Sequence, residues 1–231
     1  MKESMPNSAR SFKDSLYEQF ALIGKAVSSP KRIELLDLLS HQARTVEVLA
    51  NETGMSVANT SQHLQILRNA RLVESRKVGQ YITYSVAGLE VCEFLTGLRM
   101  LAGNRLARIE QLKGEFLQEK DIGKRIDIPD LVKKQSQGKI TLLDVRPSEE
   151  YTNAHIPGAI SIPLDELNKR LDEVPRKIEV VVYCRGPSCM MAIEAVNILR
   201  NAGYEALWME DSVHEWKRNG RPLKGLENYL K

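Results

Sequence analysis

In the stretch VVYCRGPSCMMA, residues 181–192, two thiols stand five positions apart with a glycine and a proline between them. Three chemistries use such a pair: a disulfide, a metal clamp, or a nucleophilic sulfur with a helper thiol. An apolar β-branched run, Val180–Cys184, leads in, and a helix-patterned run leads out. Cys184 is therefore expected at the carboxyl end of a buried strand, with a tight turn after it and a helix starting near Ser188 or Cys189. Ligand sites of α/β folds sit at such strand ends. N–H groups of the loop Arg185-Gly186-Pro187-Ser188-Cys189 and of the helix start would face the Cys184 sulfur. They would hold its pKa below the roughly 8.5 of a free thiol and would cradle an attached sulfur or a small oxyanion. Arg185 adds a positive charge if its side chain turns inward. Cys189 reads in two ways, as a small residue packed at the helix start or as a resolving thiol that attacks a persulfide on Cys184. Cys92, the third cysteine, stands alone and reads as core filling.

A second set of residues suits a different task. In SVANTSQHLQILRNA, residues 56–70, Ser56 is a helix cap candidate and Val57, Leu64 and Leu67 are expected to point inward. Asn59, Ser61, Gln62, His63 and Gln65 then fall on or near the outer side, and Thr60 and Arg68 complete the candidate surface. Amide side chains of this kind pair with base edges in a DNA major groove, Asn and Gln with adenine. Arg76, Lys77 and Gln80 follow in LVESRKVGQYITYSV, two alternating strands around Val78-Gly79-Gln80 that predict a hairpin whose basic residues reach a phosphate backbone or a minor groove.

The elements that must position these groups are legible in outline. Leu16, Phe20 and Ile23 mark one helix and Ile33, Leu36 and Leu39 the next, with Ser28-Ser29-Pro30 between them. TVEVLANETG is a third, closed by Gly54. Two short helices joined by a glycine-containing turn, the second rich in exposed amides, predict a helix-turn-helix. A long helix then begins near Leu89. Its Leu95, Leu98, Leu101, Leu106, Ile109, Leu112 and Phe116 exceed what a surface helix needs, which predicts a dimer seam. LQEKDIGKRID, residues 117–127, breaks the apolar rhythm. Beyond it KITLLDV, AISIPL, IEVVVYC and YEALWM read as strands alternating with the helical LDELNKRLDEV and SCMMAIEAVNILRNAG, a mostly parallel sheet wrapped by helices.

Totals narrow the classes. The 231 residues carry a net charge of +3 and are 42% hydrophobic, which suits globular domains. Residues 1–120 hold 16 basic and 13 acidic side chains, and the remainder 17 of each. Residues 55–89 alone hold four basic and one acidic, a footprint expected of phosphate contacts. The apolar runs fall far short of the roughly 20 residues of a membrane helix, and the first residues lack a secretory pattern. Three cysteines suit a reducing cytoplasm better than a disulfide scaffold.

Residues 16–118 resemble the ArsR family of winged-helix repressors, above all through SVANTSQHLQILRNARLVESRKVGQYITYSV, where Arg71 stands at a position that is usually glycine. That resemblance implies operator DNA and a homodimer as partners. Many members sense metals through cysteine and histidine clusters. Here VEVLANETG has no cysteine and Cys92 is alone, so neither a metal site nor a cofactor is expected. Residues 128–231 resemble the rhodanese domain. LLDVRPSEEYTNAHIPGAISIPLDEL carries Asp144, Arg146, Glu150, Tyr151, His155, Ile156, Pro157, Gly158 and Ala159 in place, and GYEALWMEDSVHEWKRNGRPL matches the closing segment, with Ser212 where a glycine is common. This resemblance implies that Cys184 is the family's nucleophile, that His155 is structural, and that a sulfane-sulfur donor such as thiosulfate or a persulfide is a partner. Phosphatases and arsenate reductases of this fold need an arginine six positions after the cysteine, and residue 190 is Met. The expected organisation is a mainly α winged helix-turn-helix with its dimerisation helix over 9–118, a linker over 119–127 and an α/β domain over 128–231. The expected function is a DNA-binding regulator that carries sulfur on Cys184. The rivals are a sulfurtransferase with an accessory DNA-binding half and an arsenite sensor that uses Cys184 and Cys189 as a dithiol.

Overall fold

The structure is a computed structural model that describes residues 7–119, 125–186 and 189–225. It splits into two compact units, Met1–Arg105 and Leu106–Lys231. The first runs α1 (Asn7–Val27), α2 (Pro30–His41), β1 (Arg44–Thr45), α3 (Val46–Thr53), α4 (Val57–Asn69), β2 (Val73–Val78), β3 (Tyr81–Val86) and α5 (Leu89–Arg105). Local chemistry sets these boundaries. Pro30 opens α2, where its missing N–H is no loss. Thr45 caps α3, which ends on the left-handed Gly54, and Ser56 accepts the Asn59 N–H at 3.2 Å to start α4. Arg71 then adopts φ 56°, the left-handed geometry that a glycine enters more easily. Gly79, at φ 62°, turns β2 into β3, which pair antiparallel from Val73 opposite Val86 to Val78 opposite Tyr81. With β1 on the other edge the sheet order is β1-β3-β2. Leu35, Leu36, Leu49, Leu64, Leu67 and Leu95 are buried together at the centre of this winged helix-turn-helix.

Two expectations change here. Val57 is 47% exposed, and the inward position of the first turn of α4 belongs to Thr60, one helical turn before Leu64. The helix expected from Leu89 through Phe116 leaves helical geometry at Leu106 and resumes as α6 (Ala107–Glu119) in the second unit. Gly103 and Asn104, both weak helix formers, precede the break. The apolar residues on its two sides serve different cores: Leu95 packs in the first, Phe116 and Leu117 on the second.

The second unit continues with β4 (Arg125–Ile126), α7 (Ile128–Ser136), β5 (Ile140–Asp144), α8 (Ser148–Asn153), β6 (Ala159–Ser161), α9 (Leu164–Leu167), a 3-10 turn (Leu171–Glu173), β7 (Glu179–Tyr183), α10 (Met191–Asn201), β8 (Ala206–Met209) and α11 (Val213–Arg218). Five parallel strands lie in the order β4-β8-β7-β5-β6. Strand alternation assigns the two faces. Val180, Val182 and Cys184 point to one, where α10, α9 and α6 pack; Val181 and Tyr183 point to the other, under α7 and α11. A sheet covered on both faces reads as continuous apolar runs, as β7 does. The four strands read from the sequence are present. β4 lies within the polar residues 117–127 and pairs with β8 through Arg125 and Ile126. LDELNKRLDEV divides into α9 and the 3-10 turn, whose Arg170 pairs with Glu166 at 2.7 Å and with Glu173 at 2.6 Å.

Candidate functional site

Cys184 stands where β7 ends, its side chain in the apolar cluster beneath α10 and only 2% exposed. Gly186 follows at φ 116°, and its carbonyl accepts the Cys189 N–H at 2.9 Å, folding the second thiol back over the first. That hydrogen bond keeps Cys189 in the turn, so α10 starts at Met191 rather than near Ser188 or Cys189. The backbone N–H groups of Gly186 and Ala192 point at the Cys184 sulfur, and those of Arg185 and Met191 at the Cys189 sulfur. The Cys184 thiol donates to the Cys189 carbonyl at 3.4 Å and is also within hydrogen-bonding reach of its sulfur. Pro187 and Ser188 lie outside the described residues.

The expected order of acidity is reversed. Burial raises the Cys184 thiol well above its usual range, and the neighbouring Cys189 adds to this; the N–H groups of Ala192 and Gly186 offset only part. Cys189 is lowered to about 7 by the hydrogen bond from Cys184, by the N–H groups of Arg185 and Met191 and by the charge of Arg185. The pair thus shares one readily lost proton, and the charge it leaves rests on Cys189.

Ion pairs hold the loop. Arg185 donates to both oxygens of Glu150, at 2.6 Å through Nη2, and Glu150 is itself buried on α8. Asp144 and Arg146, both buried, pair at 2.7 Å, and Arg146 also donates to the Ala154 carbonyl at 2.7 Å. His155 is held structurally: its Nδ1 meets the Tyr151 carbonyl at 2.7 Å and its ring stacks on Tyr151 at 3.7 Å. Ser212 and Glu215 border the loop as well, beyond the residues that the sequence points to. A Cβ added at Gly186 would lie 3.3 Å from the Ser212 Cβ and 3.7 Å from a Glu215 oxygen. The signal was available, since Ser-x-x-Glu is a capping box, and Ser212 and Glu215 form one at the start of α11. Met190, where an oxyanion-clamping arginine would stand, is 38% exposed.

In the first unit, α4 presents Asn59, Ser61, Gln62, Gln65 and Arg68 to solvent, and Arg76, Lys77 and Gln80 are exposed on the hairpin. Ser56 is exposed but its hydroxyl is engaged as the cap, and Gln65 donates to Asn69 at 2.7 Å. His63 is half-buried. Thr60 is a correction. It is fully buried and its hydroxyl donates to the Ser56 carbonyl at 3.0 Å, so it faces the core and cannot reach a base. Among the described residues no cluster of three or more His, Cys, Asp or Glu is placed to hold a metal ion, and no helix is long and apolar enough to cross a membrane.

Comparison with known proteins matches residues 29–75 to the bacterial regulatory protein, arsR family, and residues 127–219 to the rhodanese-like domain. The second half is similar to a sulfurtransferase of Allochromatium vinosum, 31% identical over 36% of this chain and 78% of that one. The first half is similar to the homodimeric winged helix-turn-helix DNA-binding domain Mb0332 of Mycobacterium bovis, 33% identical over 46% of this chain and 94% of that one, with a TM-score of 0.40. The HTH-type transcriptional regulator Rv0324 of Mycobacterium tuberculosis is 38% identical over 91% of this chain and 92% of its own length, so the similarity spans both units at once. The chain therefore belongs to the ArsR-family helix-turn-helix transcriptional regulators, in a form that carries a rhodanese-like domain after the DNA-binding one.

Proposed function

We propose that the protein senses reactive sulfur: its second half takes sulfane sulfur from a donor such as thiosulfate or a persulfide onto Cys184, and the loaded state alters the grip of its first half on operator DNA. The observation that carries this reading is the Cys184 sulfur at the carboxyl end of β7, enclosed by the N–H groups of Gly186 and Ala192. A cradle of N–H groups holds the extra charge and acceptor capacity of a persulfide. On the DNA side, Asn59, Ser61, Gln62 and Gln65 of α4 read bases while Arg68, Arg76 and Lys77 meet phosphates. We further propose that the DNA-binding and dimerisation part, expected over 9–118, extends only to Arg105, and that 128–231 acts as the sulfur-carrying part together with α6 and β4, which join its core and sheet in place of the linker expected over 119–127. The dimer seam is formed by the apolar surface left on α1 and α5, where Phe12, Tyr17, Phe20, Met100 and Leu101 are exposed. The three free thiols suit a cytoplasmic setting.

Titrating operator DNA with unloaded and sulfur-loaded protein tests the reading. Coupling between two sites is typically 1–3 kcal/mol, so affinity should change by about 5–150-fold on loading, and Cys184→Ser should abolish the change. Equal affinities with a persulfide demonstrably on Cys184 would reject the coupling. A second reading, an enzyme tethered to DNA, is favoured by the similarity to a sulfurtransferase. Multiple turnovers of thiosulfate with cyanide, at unchanged operator affinity, would establish it instead.

A further inference from the structure

Residues 184 and 189 are both sulfur, both packed on the same apolar cluster, and drawn together by the Gly186–Cys189 turn. The Cys184 thiol is 3.4 Å from the Cys189 carbonyl, and Cys189 receives the N–H groups of Arg185 and Met191 on its own sulfur. A nucleophile that only stores sulfur needs no second thiol in this place. Any small apolar side chain would fill the cluster as well.

Resting on the reading of Cys184 as the sulfur-loaded residue, we propose that Cys189 resolves the persulfide, so that the stable product of loading is an internal Cys184–Cys189 disulfide with release of hydrosulfide. The step balances without an outside oxidant. The Cys189 thiolate attacks the inner sulfur of Cys184–S–SH, a new S–S bond forms between the two cysteines, and the bond to the outer sulfur breaks. The outer sulfur leaves with the electron pair as hydrosulfide. The two cysteine sulfurs are oxidised and the sulfane sulfur, supplied by the donor, is reduced. The N–H groups of Gly186 and Ala192 hold the inner sulfur while Cys189 approaches from the turn. The N–H groups of Arg185 and Met191 and the charge of Arg185, which do not depend on the Cys184 thiol, favour the thiolate on Cys189.

The chemistry also assigns a role to Gly186. Closure of an S–S bond needs the Cα atoms within about 7 Å of each other. The left-handed φ of 116° at Gly186 brings residue 189 back toward 184, and a side chain there would press on Ser212.

Intact mass and released sulfide, measured on the full chain after treatment with glutathione persulfide, decide the matter. Cys92→Ser serves as the common background, so that only the pair can react. This protein should end lighter by two hydrogens and release one hydrosulfide per chain beyond the donor's own background. Adding Cys189→Ser should leave the chain heavier by one sulfur atom, with no hydrosulfide released. Cys189→Ala is the second variant if serine disturbs the cluster. Adding Cys184→Ser should leave the mass unchanged. A parent chain that stays heavier by one sulfur while keeping both thiols overturns the resolving step but leaves the loading of Cys184 intact. Peptide mapping that finds the extra sulfur on Cys189 overturns it as well, since attack then falls on the outer sulfur. A chain that gains nothing overturns the loading itself, and the resolving step with it.

Discussion

The Cys189 sulfur carries its proton below about pH 7 and is a thiolate above it. The thiolate is the nucleophile, so iodoacetamide should modify Cys189 before Cys184, at a rate falling about tenfold per pH unit below that point. Peptide mapping of partly alkylated protein across pH 5–9 (roughly the range that brackets a thiol so shifted) reads both rates. Faster labelling of Cys184 would reverse the order of acidity. Arg146 answers to a different rule. Its partner Asp144 is fully buried, so Arg146→Ala leaves a carboxylate uncompensated, a change that typically costs about 3–5 kcal/mol. Both tryptophans, Trp208 and Trp216, lie in the cores of the second unit, so their fluorescence during urea unfolding isolates that loss. An unshifted transition would show that the pair contributes no net stability.

At the scale of elements, the proposed reading divides the work of binding between α4 and the hairpin. Gln62 sits on the exposed side of α4, opposite the buried Leu64 and Leu67, where a recognition helix meets bases. Gln62→Ala should weaken a specific operator by about 1–3 kcal/mol while sparing random DNA. Lys77 is exposed on β2, and under the proposed role as a phosphate contact Lys77→Ala should weaken every sequence alike and lower the salt slope by about one unit. Fluorescence anisotropy at several salt concentrations separates the two, and equal, sequence-blind losses would misplace the reading helix. Much of α4 was legible in the sequence, because a helical repeat with a serine cap leaves few registers. The structure exchanges the expected sides of Thr60 and Val57, because threonine's hydroxyl is satisfied by a carbonyl one turn back and so buries at little cost.

For the whole molecule, the proposed dimer seam rests on the exposed apolar side chains of α1 and α5. Phe12 is 70% exposed and Leu101 60%, a surface that water disfavours by roughly 25 cal/mol per Å² of apolar area. Leu98→Glu, or Leu101→Glu on the more exposed position, should shift sedimentation to a monomer and weaken operator binding by at least tenfold, since a dimer engages two half-sites. A dimer of normal operator affinity in both variants would place the seam elsewhere. Leu95 is not a test of assembly, being packed in the unit's own core.

Local pattern alone determined the two-part organisation, the helix-turn-helix, the strand that ends at Cys184 and the thiol pair itself. Periodicity, caps and β-branched runs act within a few residues of one another and are written directly in the chain. Three things awaited the tertiary structure. Which core each half of the long apolar stretch joins depends on partners distant in sequence, and the chain divides it at Leu106. The setting of the loop depends on Glu150, Ser212 and Glu215, brought to it by the topology of the parallel sheet. The order of acidity in the pair depends on how deeply each sulfur is buried and which N–H groups reach it. Desolvation of Cys184 is a property of the assembled core, and it outweighs the local loop geometry that the sequence describes.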